Sequence, residues 1–293
     1  MMRNTIPAVL AGVVAFFVVC GHGVAAQEAP KRVVSADAPK RVVSMNLCTD
    51  QLAMLLASDG QLVSVSHLAS DPRMSAMVVQ ADAYPINRGL AEQIYLMQPD
   101  LVLAGNFTAR ASVDMLKRLG VPVVTFDPAY ALEDVRARIA QMGEVLGQQT
   151  RAEAMIADFD AQLKAYRNEA GHGPRAALYY ANGYTLGDKT LAGQILAAAG
   201  LENIAAEVGL KAGGIIPLEV LTMAQPDAVI TSRTYPTASR SEEVMGHPVI
   251  EELRASRPQA SMTSSDWVCG TPFVLRAIED MVRLRDGLHE AKP

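Results

Sequence analysis

Two apolar rhythms alternate along most of the chain. Short apolar runs bounded by turn residues, at Arg41–Met45, Leu62–Ser66, Asp100–Ala104, Val121–Phe126, Arg175–Tyr180 and Asp227–Ser232, predict strands. Between them, apolar residues three and four apart predict helices at Asp50–Ala57, Ser112–Leu119, Leu191–Ala199, Glu219–Met223 and Thr271–Leu288. Gly120 and Gly200 stand where two of these helices stop. Such alternation predicts mainly parallel sheets covered by helices on both faces. It breaks once: from Leu132 to Ala170 the pattern is helical throughout, apart from a joint at Gly147, and it stops at Gly171-His172-Gly173-Pro174. Over Thr150–Glu169, Ala154, Ile156, Phe159, Leu163 and Tyr166 share one helical spacing with charges between them. The expected architecture is α/β: two lobes, 40–149 and 171–293, joined by one long stiff helix over 150–170.

One stretch occurs twice. Glu92 to Ala104 reads EQIYLMQPDLVLA, and Glu219 to Thr231 reads EVLTMAQPDAVIT. At one constant offset the copies share Glu92/Glu219, Gln98/Gln225, Pro99/Pro226, Asp100/Asp227 and Val102/Val229. Ile94 pairs with Leu221, Leu96 with Met223 and Leu103 with Ile230. Each copy reads as a short helix, a Pro-Asp break and a buried strand, so the two lobes should be built alike.

Composition narrows the function. The chain has 293 residues, half of them hydrophobic, with a net charge of −5. With no long run of Lys or Arg, neither nucleic acid nor an anionic membrane surface is the expected partner. At the N-terminus, Arg3, the apolar run Ile6–Val19 and the small residues Val24-Ala25-Ala26 predict an export signal over 1–26, cleaved near Ala26. APKRVVS occurs at Ala29–Ser35 and again at Ala38–Ser44; only the second copy enters a lobe, which leaves 27–39 as a disordered leader. Two cysteines, Cys48 and Cys269, then remain in opposite halves of the chain. The sequence does not pair them; a bridge would tie the halves together.

In open parallel sheets, ligands sit beyond the carboxyl ends of the strands. The loops there hold Phe107, Tyr184, Tyr235 and the single tryptophan, Trp267. They also hold Arg88, Arg110 and Arg233, the amides Asn46, Asn106 and Asn182, and His67 and Cys48. Aromatic faces with peripheral cations and amides suit a large ligand with apolar surfaces and polar edges. The scattered histidines show no metal-ligand spacing, and no nucleophile elbow, phosphate loop or zinc-protease helix appears. No resident cofactor is expected, and the protein is not expected to be an enzyme. Glu92 and Glu219 suit helix N-termini. As matched acids on two lobes, they also suit arginines on a two-fold symmetric partner.

The segments LAEQIYLMQPDLVLAGN, LGVPVVTFDP, IPLEVLTMAQPDAVI and SDWVCGTP, with an export signal and a mid-chain helix, carry a resemblance. Over roughly Lys40 to Leu288 the chain resembles the periplasmic substrate-binding proteins of ABC importers for iron complexes and vitamin B12. That resemblance implies two Rossmann-like lobes, a rigid connecting helix, and an iron or cobalt chelate held between the lobes with no direct protein–metal bond. The implied ligand is a ferric siderophore or a corrinoid, then haem. The implied partner is a permease dimer with its ATPase, served by a periplasmic monomer. Glu92 and Glu219 match the permease-docking glutamates, and Trp267 matches a ligand-contacting aromatic. The first loop, MNLCTD, departs from the pattern in its cysteine, and the aromatic set differs. A bare-metal-ion binder of similar build and an exported α/β enzyme are the alternatives.

Overall fold

The computed structural model describes residues 38–166, 173–232, 239–255, 259–261 and 264–290. The N-terminal half runs β1 (Val42–Ser44), α1 (Leu47–Leu56), β2 (Leu62–Ser66), α2 (Val78–Ala81), β3 (Ile86–Asn87), α3 (Ala91–Leu96), β4 (Leu101–Gly105), α4 (Arg110–Arg118) and β5 (Val123–Phe126). Its five strands pair in the order β3-β2-β1-β4-β5, every pair parallel. Two helices follow, α5 (Leu132–Leu146) and α6 (Gln149–Tyr166), with Gly147 left-handed at φ 70° between them. This is the joint that the sequence places at Gly147, in the conformation that favours glycine at a helix end.

The C-terminal half runs β6 (Arg175–Tyr179), β7 (Tyr184–Thr185), α7 (Leu191–Ala198), β8 (Glu202–Asn203), α8 (Ile204–Glu207), β9 (Gly214–Ile215), α9 (Leu218–Ala224), β10 (Ala228–Thr231), α10 (Pro248–Ala255), β11 (Gln259–Ser261) and α11 (Val274–Glu290). Strands β11-β10-β6-β8 form a second parallel sheet, and β7 pairs antiparallel with β9 in a small separate ribbon. The fold is α/β with two parallel sheets, as the alternation predicts.

The pleat of each sheet sorts its side chains into distinct cores, because successive strand residues point to opposite faces. Val43, Val102 and Ala104 face one way, against Ile94 and Leu116; Val42, Leu101 and Leu103 face the other. The second sheet repeats this: Ala177, Tyr179 and Val229 pack outward with Leu221 and Ile250, while Ala176, Leu178, Ala228 and Ile230 pack inward. The two inward faces share one continuous core. Val135, Ile139 and Met142 of α5, Phe159 and Leu163 of α6, and Ile278 and Met281 of α11 fill it. The helices between the sheets are therefore core elements, not spacers. Asp37–Pro293 forms a single compact unit.

Two close contacts fix this middle layer. A Cβ on Gly143 would lie 2.3 Å from that of Ala152, so α5 and α6 approach at a point where only glycine fits. A Cβ on Gly270 would lie 2.1 Å from that of Ala129, where the segment before α11 crosses the loop after β5. One residue earlier, Cys269 is bonded to Cys48 in the first turn of α1, across a sequence separation of 221. The pairing that the sequence left open joins α1, the first described helix, to the segment that leads into α11.

Candidate ligand loops and the repeated face

The doubled motif is repeated in three dimensions. In each copy a short helix ends on a glutamine with positive φ, Gln98 at 50° and Gln225 at 44°. Proline follows, and the aspartate after it grips the start of the neighbouring strand. Asp100 accepts from the Lys40 and Arg41 amides at 2.7 and 2.9 Å; Asp227 accepts from the Arg175 amide at 2.8 Å. The amides of Asp100 and Asp227 donate back to the carbonyls of Arg41 and Arg175. Each arginine then turns its guanidinium to the end of the motif helix: Arg41 to the Met97 and Gln98 carbonyls, Arg175 to that of Ala224. Those carbonyls lack partners within the helix, and a cation suits that end. Arg41 and Arg175 are thus unnoticed members of the motif, legible as the first residue of each lobe's opening strand.

A second repeat lies one helix away. Arg151 of α6 donates to the Ala57 carbonyl at the end of α1, and Arg285 of α11 donates to the Ala199 carbonyl at the end of α7, each at 2.8 Å. The long helices therefore cap the first helix of each half.

Most features shared by the two copies have a structural task; the two acids and one apolar pair do not. Glu92 and Glu219 are exposed, in the first turns of α3 and α9. Neither has a hydrogen bond or ion pair among the described residues. One turn further on, Leu96 is 80% and Met223 82% exposed, again at matching positions.

The strand order reverses between β1 and β4 in the first sheet and around β6 and β10 in the second, and ligands bind beyond the carboxyl ends at such switch points. After β4, Phe107 is 83% exposed. Tyr184, 44% exposed, lies beyond β6 and pairs across its ribbon with the exposed Ile215. Asn182 is exposed, in a left-handed turn at φ 56°. His67 opens a short 3₁₀ turn directly after β2, and Arg88 follows β3; both are exposed. Arg110 starts α4 and is exposed. Tyr130, on the loop after β5, is also exposed and was missed; its signal is its place just past the VPVVTFDP strand. Arg233 and Tyr235 lie outside the described residues.

Four expected ligand contacts are placed differently. Trp267 is 8% exposed and belongs to the shared core. Its segment does follow a strand, but the bond at Cys269 and the Asp266–Arg276 ion pair anchor it at the junction, which draws the ring inward. Cys48 is committed to the disulfide. Asn46 is the N-cap of α1, accepting from the Cys48 and Thr49 amides at 3.0 and 3.4 Å. The Asn106 amide donates to Asp127.

Beneath β1 and β2 lies a buried polar layer that the sequence reading missed. Asn87 is wholly buried and donates to the Ser44 and Val65 carbonyls and to the Ser64 hydroxyl, tying β1, β2 and β3. Asp50, also wholly buried, accepts from the Ser66 amide at 3.1 Å and from its hydroxyl at 2.5 Å. Burial raises its pKa to about 6, against the opposing pull of its bonds to Ser44 and Ser66. Among the described residues no group of three or more His, Cys, Asp or Glu is placed to hold a metal ion.

Residues 42–259 match the model of the periplasmic binding protein family, and the chain belongs to that family. It is a family of binding proteins, not of enzymes. A cobalamin-binding protein of Halobacterium salinarum is 29% identical over 165 residues, which is 55% of this chain and 44% of that protein. An ABC transporter substrate-binding lipoprotein of Bacillus subtilis is 24% identical over 218 residues, covering 70% of this chain and 65% of that one. The matches thus span between about half and two thirds of these relatives' length. The crystal structure of a periplasmic heme-binding protein from Pseudomonas aeruginosa superposes with a TM-score of 0.67 at 20% identity, over 85% of this chain and 93% of that one. That likeness establishes the fold.

Proposed function

We propose that this chain is an exported substrate-binding protein that captures a metal chelate between its lobes and delivers it to an ABC permease. The observation that carries the reading is the pair of exposed rings beyond the carboxyl ends of the two sheets, Phe107 after β4 and Tyr184 after β6. A water-exposed ring at a switch point is a face awaiting an apolar, planar or bulky ligand. Arg88, Arg110, His67 and Asn182, exposed on neighbouring loops, supply the polar edge that anionic groups of a chelate need. The family membership, and the cobalamin and heme named for the related proteins, favour a chelate over a sugar or amino acid.

A corrinoid or ferric siderophore is the first expectation, haem the second. The test is titration of the purified chain with cobalamin, a panel of ferric siderophores and haem, followed by tryptophan fluorescence and calorimetry. Saturable binding of one of them is expected; failure of all three classes would overturn the ligand class. Replacing Phe107 with Ala should then weaken the bound chelate roughly tenfold, the order expected when a stacking aromatic anchor is truncated.

Glu92 and Glu219, exposed and in no ion pair among the described residues, are the proposed contacts to arginines of the permease, one per lobe. The double variant E92A/E219A should keep its ligand affinity and lose uptake in cells. Unchanged uptake would remove the docking role.

A further inference from the structure

The repeated face carries more than its two acids. Leu96 and Met223 are among the most exposed large apolar side chains described, at 80% and 82%. Each stands four residues after its glutamate on a short helix, so acid and apolar residue share one helix face in both halves. The surrounding geometry is also repeated: left-handed glutamine, proline, strand-gripping aspartate and helix-capping arginine. A lone exposed leucine needs no explanation. Two large apolar residues at corresponding positions, each beside a carboxylate in no ion pair among the described residues, call for a partner that reads both.

We infer that Leu96 and Met223 are apolar docking knobs that seat in two equivalent recesses of the permease dimer, each recess beside the cation that receives Glu92 or Glu219. This rests on the docking role proposed above and deepens it. The match is one of chemistry and symmetry: two like faces on one chain fit a partner that presents the same cation-and-recess surface twice, as a two-fold dimer does. The division of labour follows from the physics. Exposed charges steer the encounter and weaken with salt, whereas a desolvated apolar anchor holds the complex and does not. A phospholipid surface would not distinguish the two faces, and the acids would oppose an anionic one.

The test places a photoreactive benzophenone side chain at position 92, 96 or 223 of the full-length chain in living cells, with Val79 as control. Val79 is 81% exposed but has no counterpart in the doubled motif. Crosslinked partners are identified by mass spectrometry. Positions 92, 96 and 223 should all crosslink to a polytopic permease subunit, and position 79 should not. With L96Q and M223Q added, the yield from position 92 should fall roughly tenfold or more, as expected for losing two buried apolar anchors. A crosslink from position 92 alone, or a yield unmoved by L96Q and M223Q, overturns the knobs and leaves the glutamate docking standing. Crosslinks from 96 and 223 only to lipid or to soluble proteins also overturn the knobs. No permease crosslink from any of the three would overturn the docking role itself. Both replaced residues are exposed, so folding should be unchanged, which circular dichroism checks.

Discussion

Asp50 is a carboxylate whose protonation the fold constrains strongly. It is wholly buried, and its pKa lies near 6 instead of 3.8. The folded state therefore holds this proton more tightly than the unfolded chain does. Below about pH 4 both states are protonated; between about 4 and 6 only the unfolded state ionises, and stability falls as pH rises through that window. Above pH 6 the penalty is constant, at about 3 kcal/mol for a shift of this size. D50N should flatten the stability–pH curve between pH 4 and 6, as read by urea unfolding at several pH values. A D50N curve that keeps the original slope would place the titration elsewhere. Such a residue is hard to read from sequence, where Asp50 is one acid at the start of a helix. Its burial depends on β2 lying against α1, a long-range fact. Trp267 teaches the converse: its place after a strand was legible, but the disulfide that draws it inward was not.

Among the elements, the helix–turn–strand unit was the most legible because its signals are local. Periodicity shows the helix, Gln-Pro-Asp the break and an apolar run the strand, in both copies. What the sequence did not reveal is the purpose of the break. The aspartate holds the opening strand of each half to the strand beside it. D100A removes the acceptor for the two amides just before β1 and should cost about 1–2 kcal/mol, measured by urea denaturation. An unchanged midpoint would show that water replaces the carboxylate without loss. The elements that escaped notice are two-residue strands such as β3, β8 and the β7–β9 ribbon. Two residues have no period, and only the neighbouring strand defines them. The long helices were visible from their spacing, yet their position inside a common core was not, since a helix pattern gives its apolar face and not what covers it.

For the whole molecule, the shared core and the Cys48–Cys269 bond make the two halves one cooperative body. Calorimetry should show a single unfolding transition, with van't Hoff and calorimetric enthalpies equal. Two resolved transitions would mean that the halves melt separately. The bond closes a loop of 221 residues, and its reduction, or the C48S variant, should cost up to about 5 kcal/mol in the chain-entropy account. Urea unfolding with and without reductant measures it. A loss below 1 kcal/mol would mean that the unfolded chain keeps the two ends together.

The same bond also sets an order in time. A ribosome completes Cys48 long before Cys269, so the first thiol must wait for nearly the whole chain to appear. Among the described residues there is no third cysteine to occupy it meanwhile. A chain broken off before Cys269 leaves Cys48 without the partner it has in the fold. The bond therefore acts as a seal of completion. Labelling the Cys48 thiol in freshly made protein would separate finished molecules from interrupted ones, without any assay for the ligand.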